Sequence, residues 1–117
     1  PARTFTDVNV WDVHLAAGKS VTLEVPEGHT TALALLRGQL VVNGAHEASA
    51  AQVVQFDRNG TDVRLEARQD ATFLVLTGAP IDEPIAGYGP FVMNTREEIL
   101  TAINDLQSGR FARLAPV

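Results

Sequence analysis

The chain has 117 residues, a formal net charge of −5 and no cysteine. The length predicts one domain, which at this size buries roughly 60–70% of its unfolded surface. The acidic balance argues against a broad nucleic-acid footprint, which needs clustered Lys and Arg, and the lack of cysteine excludes disulfides, thiolate metal sites and cysteine nucleophiles. No apolar run reaches the ~18–20 residues that span a bilayer and no signal peptide is read, so a soluble, cytoplasmic protein is expected. The start at Pro1, without methionine, fits either a trimmed initiator or a piece of something longer.

Phe5 to Leu15 reads as the first strand region, with Val8, Val10 and Asp12 on one face and Trp11, Val13 and Leu15 on the other. After the turn Ala16–Lys19, Ser20 to Val25 alternates, with Val21, Leu23 and Val25 inward. Pro26-Glu27-Gly28 breaks that strand. Thr30 to Leu36 is nearly all apolar or small, the pattern of a strand covered on both sides, and Gly38 permits a bulge before Gln39–Val42. Asn43-Gly44 is the favoured type I′ hairpin dipeptide. Ala45–Ala51 reads as loop or weak edge strand, and Gln52–Phe56 as strand. A second Asn-Gly, at 59 and 60, predicts a turn into the run Val63, Leu65, Ala67. Gln69-Asp70 is read as another turn, before the most hydrophobic strand, Thr72–Thr77. Short strands every 8–12 residues or so indicate an antiparallel sandwich or barrel.

The last segment breaks the rhythm. Ile99, Ala102, Ile103 and Leu106 stand at i, i+3, i+4, i+7, which lines one face of a helix. Thr95 and Glu98 have the spacing of a capping box, Glu97 and Glu98 suit the positive end of the helix dipole, and Gly109 supplies a left-handed stop with Arg110 beside it. The reading is all-β with one C-terminal helix.

The run GYGPFVMNTREEILTAINDLQSGRF, with Glu83 and Pro84 ahead of it, resembles the closing signature of the pirin family, a branch of the cupin superfamily. EGHTTALALLRGQLVVNG and FLVLTGAPIDEPI continue the resemblance upstream, so it spans almost the whole chain but only one half of a normal pirin. It implies a single C-terminal-type cupin domain over residues 1–117: a β-barrel or jelly-roll sandwich at about 4–80, then loop, last strand and helix at 81–111. It also implies that a full-length relative holds iron through His and Glu in an N-terminal domain. Some members show quercetin 2,3-dioxygenase-type activity, and others act as transcription co-regulators.

The ligand pattern of a metal-binding cupin, G-x5-H-x-H-x3,4-E-x6-G, works because alternate strand residues face the interior, so two imidazoles meet one ion. Counting back from Gly38 puts the Glu slot at Thr31 and the His slots at Val25 and Glu27, or at Glu24 and Pro26. None is histidine, and no histidine follows His46. No catalytic residue, metal ligand or cofactor is therefore expected in this chain. His29 is read as a surface or turn residue, His14 as a strand residue facing out or packing, and His46 as solvated. Asp82-Glu83 reads as a solvated loop, and Trp11 as a core or interface anchor.

Three functions stay open: a non-catalytic structural partner of an absent metal-bearing N-terminal domain, a small-ligand binder using Thr31, Gln39 and Gln55 inside the barrel, or a self-associating module. Tyr88, Phe91, Val92, Met93 and Phe111 form the candidate interface, because they are apolar and fall outside the sandwich pattern. Direct binding to nucleic acid or membrane is not expected.

Overall fold

Two long antiparallel strands, β3 (Thr30–Val42) and β6 (Asp62–Gly78), carry the unit Pro1–Pro80. They belong to a computed structural model that describes residues 2–112. Two short strands tile the outer edge of β6: β1 (Val8–Leu15) pairs with Ala71–Gly78, and β2 (Ser20–Glu24) with Asp62–Glu66. Two more tile β3. There β5 (Gln52–Gln55) pairs with Ala32–Leu35, and β4 (His46–Ser49) with Gln39–Val42.

The core follows from alternation. β6 points Val63, Leu65, Ala67, Ala71, Phe73 and Val75 inward, at one parity throughout. β3 points Leu33 and Leu35 inward at one end, then Leu40 and Val42 at the other, a change of parity. From the Leu35–Phe73 pair to the Leu40–Ala67 pair, β3 advances five residues and β6 six, so the ladder is bulged. A one-residue slip moves a strand's inward set to the opposite face. Here it lets both ends of β3 serve a single core cluster, and the sheet folds over on itself as a sandwich. Gly38 sits in the bulge at φ 87, where a Cβ would collide with the Asp70 carbonyl oxygen and come within 2.8 Å of the Ala71 Cα. Trp11, Val13 and Leu15 of β1 and Val21 and Leu23 of β2 pack against the cluster from its edge.

The unit Ile81–Val117 holds a small hairpin, β7 (Ala86–Tyr88) with β8 (Phe91–Met93), and one helix, α1 (Arg96–Gln107). The capping box forms as expected. Thr95 Oγ1 accepts from the Glu98 N–H at 3.2 Å, and Glu98 Oε2 accepts from the N–H groups of Thr95 and Asn94 at 2.9 and 3.0 Å. At the other end Gly109 lies at φ 71, its N–H reaches the Leu106 carbonyl, and the Arg110 N–H reaches that of Asp105. This is a Schellman closure. The Arg110 side chain adds an ion pair to Asp105 at 3.0 Å. α1 packs on the hairpin, burying Ile99 and Ala102.

The architecture is mostly antiparallel β with one C-terminal helix, as the sequence implies. Several local expectations need correction. Gln69-Asp70 is not a turn: β6 continues through it, because the bulge against Gly38 absorbs the break and leaves Arg68, Gln69 and Asp70 exposed. The even spacing of short strands fails for the same reason, since β3 and β6 run 13 and 17 residues. Thr30–Leu36 is not covered on both sides but alternates, with Leu36 exposed. Asn59-Gly60 bends the chain without making a hairpin, since β5 pairs with β3 rather than with β6. The single last strand expected within 81–111 is two three-residue strands around Gly89-Pro90. Leu106 is exposed on α1, so the inward face is narrower than the spacing predicts. No helix among the described residues is long and apolar enough to cross a membrane.

Candidate functional site

One end of the sandwich opens into a cavity of about 330 Å³. Its wall is set by the chain segment Phe56–Thr61, which is tied to the segment preceding and opening β3 by three backbone hydrogen bonds. The Phe56 N–H donates to the Thr31 carbonyl at 3.0 Å, the Val25 N–H to that of Thr61 at 2.7 Å, and the Gly28 N–H to that of Arg58 at 3.0 Å. Val25, Val42 and Val63 supply a buried apolar lining, with the half-buried Val54 and Phe56 beside them. Asp57, Asp62, Asn43, His46 and Gln55 stand exposed around the opening.

Thr31 is the anomaly in that lining. It shares the inward face with Leu33 and Leu35, is 2% exposed, and its Oγ1 has no hydrogen-bond partner among the described residues. Directly across the ladder, Thr77 is equally buried but satisfied: its Oγ1 accepts from Asn9 Nδ2 at 3.0 Å and lies 3.5 Å from His29 Nδ1.

Of the three polar contacts expected inside the barrel, Thr31 and Gln55 line this cavity and Gln39 does not. Val25 lines it too, so two of the positions counted from Gly38 as ligand slots, Val25 and Thr31, meet in this cavity. His29 is half-buried and lines the wall, and His46 opens β4 at the rim rather than sitting in a loop. His14 faces outward on β1, with Nδ1 3.1 Å from Thr72 Oγ1 and Nε2 3.7 Å from Asp12. The donor set does not fit a histidine–carboxylate metal shell: the slots counted from Gly38 hold Thr31 with either Val25 and Glu27 or Glu24 and Pro26, none of them histidine, and among the described residues no three His, Asp or Glu side chains converge. That Asp57, Asp62 and the Thr31 hydroxyl share one cavity was not visible in the sequence, because its lining comes from three segments spread between Val25 and Val63.

The five candidate interface residues do not form one patch. Opposite residues of an antiparallel pair share a face, so Tyr88, Phe91 and Met93 lie on one side of the hairpin and Val92 on the other, across from Gly87. Phe91 and Met93 are half-buried, and Phe91 meets Phe111 edge-to-face with ring centroids 6.0 Å apart. Tyr88 and Val92 stay 70% and 68% exposed.

The family model for the pirin C-terminal cupin domain matches residues 10–112. A Pseudomonas aeruginosa protein provisionally named quercetin 2,3-dioxygenase is 52% identical over 113 residues, which are 97% of this chain and 39% of that protein. A pirin-like protein of Caulobacter vibrioides is 41% identical over 90% of this chain and 37% of its own length. The crystal structure of a quercetin 2,3-dioxygenase from Acinetobacter baumannii superposes with a TM-score of 0.89 at 49% identity, covering 97% of this chain and 40% of that one. The chain thus spans about two fifths of the relatives it matches.

Proposed function

The chain belongs to the pirin family as its C-terminal cupin domain, and from that premise we propose that it is the non-catalytic, metal-free partner of a metal-bearing N-terminal cupin domain outside these 117 residues. The observation that supports this reading is the lack of histidine at every ligand slot counted from Gly38, which hold Thr31 with either Val25 and Glu27 or Glu24 and Pro26 and so offer no pair of imidazoles to an ion. Any iron and any quercetin 2,3-dioxygenase-type turnover then belong to the other part of the whole protein. The β7–β8 hairpin supplies the contact, with the exposed Tyr88 on one face and the exposed Val92 on the other, each contributing ~1.5–3 kcal/mol where the partner covers it. Absence of cysteine is compatible with work in the reducing cytoplasm.

A chimera tests it. The matching C-terminal part of the Acinetobacter enzyme is replaced by this chain, and metal content, turnover of quercetin and thermal unfolding are measured. The expected product binds one equivalent of iron and unfolds in one transition, while Tyr88→Asp with Val92→Asp splits that transition in two. A second equivalent of iron held by this chain would refute the metal-free reading. An unchanged single transition in the double variant would refute the docking surface.

A further inference from the structure

We infer that the cavity at the end of the sandwich is a binding site for a small, non-anionic organic molecule that carries a hydroxyl or ammonium donor on a compact apolar skeleton. Two independent observations meet there. The first is the buried Thr31 hydroxyl, 2% exposed and without a hydrogen-bond partner among the described residues. A buried polar group left unpaired costs free energy that a ligand restores. The second is the wall itself: Val25, Val42 and Val63 are apolar and buried, and Asp57 and Asp62 stand at the opening. Neither carboxylate makes an ion pair among the described residues, and Asp62 Oδ1 accepts only from Thr61 Oγ1, at 3.3 Å.

Size supports a ligand over a single water. A bridging water needs only about 10–15 Å³, whereas this cavity of about 330 Å³ lies within the range of roughly 300–1,000 Å³ that holds small molecules. The charge at the opening then selects. An ammonium or hydroxyl donates to the carboxylates, whereas a ligand carboxylate or phosphate is repelled by them. The apolar body lies on the three valines, and a polar atom of the ligand pairs with Thr31. This site is separate from the docking surface proposed above and needs no second domain.

The test uses the 117-residue chain and three unbranched four-carbon probes that differ in their polar end, n-butylamine, 1-butanol and butanoate, titrated by amide chemical shift. Saturable shifts centred on Thr31, Phe56 and Val63 are expected for the amine and the alcohol, and none for butanoate. Thr31→Val, which keeps the shape and removes the hydroxyl, weakens both by about three- to tenfold with an unchanged or raised melting temperature. Asp62→Asn narrows the preference for amine over alcohol. Butanoate binding as well as the amine, no saturation with any probe, or undiminished binding in Thr31→Val would each overturn the inference. A Thr31→Val chain that melts lower would show the hydroxyl already satisfied by solvent, and would overturn it too.

Discussion

Thr31 and Thr77 face one another across the β3–β6 ladder, both 2% exposed, yet among the described residues only Thr77 has partners for its hydroxyl. The same residue type in the same kind of position is therefore expected to answer the same substitution with opposite signs. Thr77→Val strands the Asn9 amide in a part-buried setting and should cost ~1–2 kcal/mol. Thr31→Val removes an unpaired group and should be neutral or stabilising. Urea unfolding of the two variants, with equal slopes, decides it.

Gly38→Ala should be among the most damaging changes outside the buried core. The residue must hold φ 87 while its α-carbon lies against Asp70 and Ala71. Left-handed backbone costs an L-residue about 1–2 kcal/mol, and moving the β6 backbone aside adds more. A midpoint shift equivalent to ~2–4 kcal/mol is expected, against near zero for Gly44→Ala's change in packing, where a Cβ meets nothing within 4 Å and only the backbone term applies.

Thr95→Ala should loosen α1 by ~0.5–2 kcal/mol through loss of the cap. Glu98→Ala removes the reciprocal half of the same box, so the double variant should cost less than the two single losses added together. Hydrogen exchange of the α1 amides, rather than global unfolding, is the measurement to use. Equal protection in all four chains would show that the box contributes nothing.

Phe73 is the largest fully buried side chain among the described residues and lies in the second half of β6. Phe73→Ala should cost ~3–5 kcal/mol, a large share of the ~5–15 kcal/mol that holds a typical domain together. Phe73→Leu should recover more than half of it. A denaturation series on the three chains reads both values.

The elements legible in the sequence are those whose causes are local. The capping box needs only Thr95 and Glu98, and the helix end only Gly109 and its neighbours. The turn closed by the Ala45 N–H on the Val42 carbonyl needs only Asn43 and Gly44, both at positive φ. What escaped has distant causes. Gln69-Asp70 resembles a turn because it is polar, but the Gly38 region, thirty residues earlier, holds that stretch in the ladder. The hairpin strands Ala86–Tyr88 and Phe91–Met93 are too short to show a period. The cavity needed β3, β4, β5 and the segment before β6 to come together, so Thr31 could be named as a polar contact but not as an orphan.

The central position of β6 bears on how the chain is made. Val8 finds its partner in Gly78 and Thr30 finds the same residue from the other side, so neither ladder can close before residue 78 has been synthesised. Such distant pairings are slow to form. Until β6 is made, β1, β2 and β3 have no partner for their inner edges, and open strand edges of this kind are templates for pairing with other chains.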